Sequence, residues 1–173
     1  MSAYDSVPCK KNVVDKAILM EALGLIIGKI EDAGKVSITN VWNHVEKVDI
    51  GIPESQLPPE CQGFGDLGLV QGKDGKFSFR GLQTREAWMI DNAKGREKGT
   101  TSAAMARFQE DVENCYECIS IIKATKARFP NLKISKPSRI TAGEGASATT
   151  WGARVVGSKS ELLKAKARTK AMA

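Results

Sequence analysis

Four cysteines and one histidine are the residues here best suited to hold a metal or attack a substrate: Cys9, Cys61, Cys115, Cys118 and His44. Cys115-Tyr116-Glu117-Cys118 has the spacing that lets two thiolates reach one zinc ion, with Cys9, Cys61 or His44 to complete the site. A second Cys-x-x-Cys or Cys-x-x-His pair is missing from the sequence. Cys115 also falls in step with neighbouring apolar residues, where a thiol behaves as a small apolar group. Cys115 and Cys118 are therefore assigned to a core, and no metal or cofactor is expected. His44 stands between Trp42 and Val45 in a stretch read as helical, and spacing places no serine and aspartate beside it to form a nucleophile–base–orienter set. Gly143, Gly145 and Gly152 lack the leading strand and the Gly-Lys-Ser/Thr step of a phosphate loop. An enzyme acting on a small molecule is not the expectation.

What remains is cationic. The chain of 173 residues has a net charge of +6 and a pI of about 9.2. Residues 131–173 carry nine of its 26 basic side chains and only two of its 20 acidic ones, which leaves the first 130 residues close to neutral. A near-neutral body with a basic end fits a polyanionic partner, nucleic acid before a membrane surface, because lysine and arginine release condensed counterions from phosphates without needing a specific geometry. The candidate contacts in this end are Lys133, Lys136, Arg139, Arg154, Lys159, Lys164, Lys166, Arg168 and Lys170. Lys73, Lys76 and Arg80 join them from a predicted hairpin. Gln56 and Gln62 could reach adenine edges from a helix, but read more simply as polar loop surface.

The elements that would position these groups follow from periodicity. Leu67 to Gln71 and Lys76 to Arg80 flank Gly72-Lys73-Asp74-Gly75, and an Asp-Gly pair between short apolar runs signals a hairpin. Phe77 and Phe79 share its inner face, and Lys76, Ser78 and Arg80 its outer one. Val13–Ala33 repeats apolar residues at spacings of three and four and reads as a central helix ending near Gly34. Val36–Ile38 reads as a short strand. Thr39 to Val48 reads as a second helix with Val41, Trp42, Val45 and Val48 on its apolar face, and Glu60 to Leu67 as a third, entered through Pro58 and Pro59. Thr84 caps a helix through Trp88 and Ile90. Ser102–Arg128 is a long helix whose narrow stripe of Met105, Phe108, Val112, Cys115, Ile119 and Ile122 predicts a homodimer seam. Packing back on its own domain is the alternative. Asn131–Gly157 reads as irregular with a possible strand at Trp151–Val156, and Ser158–Glu161 as the capping box of a short basic helix.

The order helix, strand, helix, helix, hairpin over residues 13–93 resembles a winged helix domain. The resemblance is carried by the Val13–Ala33 helix, the Val36–Val48 segment, the Leu67-Gly68-Leu69-Val70 step and the Lys73–Phe79 hairpin. It implies an α+β, mostly helical fold, with DNA favoured over RNA as partner and a non-enzymatic role in transcription, replication or nucleic-acid architecture. The organisation expected is a flexible arm at 1–12, a winged-helix-like domain at 13–94, a linker at 95–101, a dimerising helix at 102–130 and a basic tail at 131–173. The alternative is a self-assembling scaffold, such as a viral nucleocapsid component or a ribosome-associated RNA-binding subunit. The sequence opens without a charged-then-apolar leader and holds no run of membrane-spanning length, so an intracellular location without membrane contact is expected.

Overall fold

A computed structural model of the chain describes residues 5–30, 37–81, 87–140 and 150–156. In chain order the elements are β1 (Ser6–Pro8), α1 (Lys16–Ile27), β2 (Ser37–Thr39), β3 (Val45–Lys47), β4 (Ile50–Ile52), two 3-10 turns (Glu54–Gln56 and Pro59–Cys61), β5 (Leu67–Gln71), β6 (Phe77–Arg80), α2 (Ala87–Ala93), α3 (Thr100–Arg128), β7 (Lys133–Ile134), β8 (Ser138–Arg139), β9 (Trp151–Gly152) and β10 (Val155–Val156).

The Leu67–Arg80 hairpin forms as its alternation requires. β5 and β6 pair antiparallel with Leu69 opposite Phe79 and Gln71 opposite Phe77. Gly75 closes the turn at φ 84°, its N–H donating to the Gly72 carbonyl, while Lys76 N–H donates to Asp74 Oδ1. β1 and β4 extend the hairpin to a four-stranded sheet in the order β1-β6-β5-β4. One face of this sheet carries Ile50, Ile52, Leu67, Leu69, Phe77 and Phe79 into the main core, where α1 contributes Leu19, Ala22 and Leu23 and α3 contributes Met105, Phe108, Val112, Cys115 and Ile119. The other face is closed by the β2–β3 hairpin. Ile38, Val48 and Phe64 form a second small cluster there with Val70 and Ile90. Gly68 makes that contact possible, since a Cβ on it would lie 2.5 Å from Val48.

The winged helix expectation is overturned. Among the described residues three helices accompany several small antiparallel sheets, and residues 39–48 and 60–67 form neither of the short helices expected there. Val41, Trp42, Val45 and Val48 have helical spacing, yet the segment is a β-hairpin. Asn40 decides it: its side-chain oxygen accepts from the N–H groups of both Trp42 and His44, the local competition with helix that asparagine offers. Asn43 completes the turn at φ 59°. The presumed third helix is replaced by the two 3-10 turns, each preceded by an extended proline, Pro53 and Pro58. Gly63 at φ 133° and Gly65 at φ 120° then hold the backbone far from helical values.

α1 is capped by Asp15, which accepts from Ala17 and Ile18 N–H, and it stops at Gly28 with φ 84°. The segment before it, read as a loose arm and helix start, is stitched to α3. Pro8 carbonyl accepts from Gln109, Lys11 N–H donates to Glu113 and the Tyr116 hydroxyl accepts from Val14 and Asp15 N–H. α3 therefore does not stand apart. Most of its stripe, read as a seam for a second copy, packs on α1 and the sheet within the same chain: Met105, Phe108, Val112, Cys115 and Ile119 are buried there, while Ile122 is half-buried.

The stretch read as a linker before α3 is a tight polar joint. Asp91 is buried in α2, and its carboxylate accepts from Gly99 N–H, Thr101 N–H and the Thr101 hydroxyl. Arg96 donates to the carbonyls of Pro59, Glu60 and Gln62 and to the Thr101 hydroxyl. The Thr101 hydroxyl, the two N–H donors and the Arg96 charge together hold the Asp91 carboxyl below the usual range against the opposing effect of burial. A carboxyl depressed in the fold adds stability above its unfolded value of about 3.9, and that stability is lost as pH falls through its folded value. Asp91→Asn should therefore melt below the wild type at pH 7, and the gap should narrow as the solution is acidified past about pH 4. Thermal melts of both chains across pH check this, and a gap constant in pH would refute it.

Candidate nucleic-acid interface

From Cys118 to Ile140 the chain holds no acidic residue and six basic ones: Lys123, Lys126, Arg128, Lys133, Lys136 and Arg139. The fold gathers them. Lys126 and Arg128 occupy the last turn of α3, where the helix dipole places partial negative charge and favours cations. A short turn over Phe129–Leu132 leads into β7. β7 pairs with β10, and β8 with β9. Ser135 N–H donates to the Arg154 carbonyl, and Arg154 N–H to the Ser135 hydroxyl. The four short strands are thus two rungs of one antiparallel ribbon. Between the rungs two residues, Lys136 and Pro137, oppose the single Ala153, which is a bulge at the proline that lacks a ladder donor. Part of what was read as an irregular tail is this ribbon.

One carboxylate fastens the ribbon to the body. Asp111 Oδ1 on α3 accepts from Arg139 at 2.6 Å and from the Trp151 indole N–H at 2.7 Å. Arg139 also lies over the Trp151 ring, 4.8 Å from its centroid. Asp111→Ala removes the acceptor that the indole donor and the guanidinium share, a loss of about 2 kcal/mol for a partly buried charge-assisted pair. The ribbon should lift while the core remains. The measurements are a red shift of the most buried tryptophan emission and faster proteolysis between 133 and 156. An unshifted spectrum would show that the carboxylate does not hold the ribbon.

The candidate cations divide once their partners are known. Lys123 pairs with Glu21 at 3.2 Å, and Arg139 with Asp111. Arg80 pairs with Glu46, so the outer face of the β5–β6 hairpin is less cationic than its sequence suggests. Lys73 and Lys76 are exposed at that hairpin's turn, with Asp74 between them. Lys126, Arg128, Lys133, Lys136 and Arg154 are exposed and form no ion pair among the described residues. Those five are the uncompensated cluster. Lys126 and Arg128 were missed from sequence, although the acid-free run that contains them was there to be counted. Lys159, Lys164, Lys166, Arg168 and Lys170 lie outside the described residues, as do Thr84, Gly143, Gly145 and the Ser158–Glu161 capping box.

The other sequence candidates are committed elsewhere. The Gln56 amide donates to the Lys29 carbonyl and the Gln62 amide to the Leu57 carbonyl, so both serve loop structure. His44 sits exposed on the β2–β3 hairpin. Burial is the main cause that pushes the Cys9 and Cys115 thiols up to about 12 and Cys61 up to about 11, and it raises Cys118 too. Thiols so protonated are poor nucleophiles and poor ligands at neutral pH. Among the described residues no three His, Cys, Asp or Glu side chains are grouped to hold a metal ion.

Comparison with protein-family models, curated proteins and solved structures gives no match. Geometry and charge alone carry the functional reading. Among the described residues no helix is long and apolar enough to cross a membrane.

Proposed function

We propose that the protein binds nucleic acid, DNA before RNA, through phosphate contacts made by the end of α3 and its ribbon and continued by the basic residues of 157–173. The observation that carries this is a set of five exposed cations that form no ion pair among the described residues: Lys126, Arg128, Lys133 and Lys136 along an acid-free run, and Arg154 next to the strand that pairs with it. Phosphate binding needs only such a surface, held in a stable shape. Lys73 and Lys76 are secondary contacts, because Asp74 offsets them. The role that fits is non-enzymatic: a factor of transcription or replication, or an architectural one. The experiment is a duplex-DNA titration over salt. Affinity should fall by orders of magnitude between about 50 and 200 mM, and a flat profile would remove the reading.

A further inference from the structure

A separate cleft of about 460 Å³ opens beside the first turn of α3, lined by Trp88, Asp91, Asn92, Arg96 and Lys98. It is about 40 Å along the helix from the ribbon, at about 1.5 Å per residue. Trp88 leaves 55% of its surface exposed although the preceding Ala87 is buried. Trp88 and Asn92 are four residues apart on α2 and therefore share one helix face. Arg96 and Lys98 follow from the joint into α3. Arg96 is fixed by its four acceptors, so its positive charge has a set position. Asp91 turns its carboxylate to Gly99 and Thr101, which offset its charge. Lys98 is exposed and makes no ion pair among the described residues. The cleft thus combines an open aromatic face, a side-chain amide able both to donate and to accept, and net positive charge.

We propose that this cleft binds a nucleobase together with its phosphate. The base stacks on the Trp88 indole, the Asn92 amide meets its edge and Lys98 faces the phosphate. The volume lies within the range of about 300–1,000 Å³ usual for small-ligand sites, which suits one nucleotide unit and excludes a duplex. Two sources share that chemistry, a free mononucleotide and one unit of a single strand. The site needs a base face, whereas the ribbon needs only phosphates, so the cleft stands or falls independently of duplex binding.

The test follows the indole N–H signals of the full chain by NMR, with Trp88→Ala identifying its own resonance. The probes are uridine monophosphate and a twelve-residue oligothymidylate. The expected result is that the Trp88 signal moves with at least one of them. A shift with the mononucleotide identifies a free nucleotide as a ligand, and a shift with the oligomer alone identifies a strand. Affinity for the responding probe should drop roughly tenfold or more in Trp88→Ala, the loss of one stacked base. Trp88→Phe should restore most of it, and duplex binding should not change in either variant. A Trp88 signal unmoved by both probes overturns the proposal, and so does an affinity indifferent to Trp88→Ala. Loss of duplex binding on removal of the ribbon cations bears on the other surface alone.

Discussion

Gly65→Ala should destabilise the fold severely for a single added methyl. Gly65 sits at φ 120°, and a Cβ there would lie 2.6 Å from both the Asn40 Cα and the Thr39 carbonyl oxygen. Both obstacles are backbone, so no rotamer change relieves them. Gly65 bridges Asn40, and the neighbouring Asp66 exchanges hydrogen bonds with Thr39 through its own N–H and its carboxylate. Making room therefore means moving the β2–β3 hairpin away, which uncovers Ile38, Val48 and Phe64 together. The backbone strain alone is worth about 1–3 kcal/mol, and opening the cluster adds to it, so a total above about 4 kcal/mol is expected. Two other glycines give the scale. Gly75 has φ 84° but open space around its Cβ position, so Gly75→Ala should cost only about 1–2 kcal/mol of conformational strain. Gly24 lies within α1 with nothing nearby, and alanine there should add up to about 1 kcal/mol of stability. Denaturant unfolding of the three variants orders them. If Gly65→Ala is no worse than Gly75→Ala, the two hairpins do not meet as described.

The same region shows where sequence reading reaches its limit. The β5–β6 hairpin was legible because strict alternation at Phe77 and Phe79 and an Asp-Gly turn are local signals. The length of α3 and the middle of α1 were legible from apolar residues every three or four positions, but α1 runs only from Lys16 to Ile27 and not over Val13–Ala33, because Asp15 caps it and Gly28 ends it. Val41, Trp42, Val45 and Val48 carry that same spacing, and there the period misleads. The choice is made by Asn40 binding its own turn and by the sheet face that Ile38 and Val48 must cover, a contact that depends on the bare Gly68 far along the chain. The α3 stripe teaches a related lesson. Periodicity shows that Phe108, Val112 and Ile119 are covered, but not whether the cover is another copy or the chain's own α1.

Charge was legible as a total and not as a field. Counting basic residues located the cationic end of the chain, but no local rule says that Glu46 answers Arg80 or that Asp111 answers Arg139. The ribbon that displays Lys133, Lys136 and Arg154 was hidden for another reason. Its two-residue rungs are too short for a strand pattern and come from segments well apart in sequence. What fastens it, an indole N–H and a guanidinium sharing one carboxylate oxygen, is a tertiary event.

Removing four of the uncompensated cations should have the largest effect on binding. With Lys126, Arg128, Lys133 and Lys136 all changed to glutamine, each lost phosphate contact lowers the slope of log affinity against log salt by about 0.9 for duplex DNA. If each side chain meets one phosphate, the slope becomes shallower by about 3.6, and at about 0.1 M salt the affinity falls roughly a thousandfold or more. The fold should withstand the change. All four side chains are exposed, and only Lys126 and Arg128 give up a favourable place at a helix C-terminus, about 0.3–1 kcal/mol each. A control of equal charge separates a local surface from net charge alone. Lys16, Lys29, Lys47 and Arg107 are exposed outside the ribbon, and changing these four to glutamine should leave the slope nearly intact. Fluorescence anisotropy with a labelled duplex, run as a salt series, measures both. Equal losses in the two variants would mean that the phosphates respond to overall charge and that the end of α3 is no binding surface. A loss confined to the first variant would place the contact where Lys126 and Arg128 hand the chain on to its ribbon.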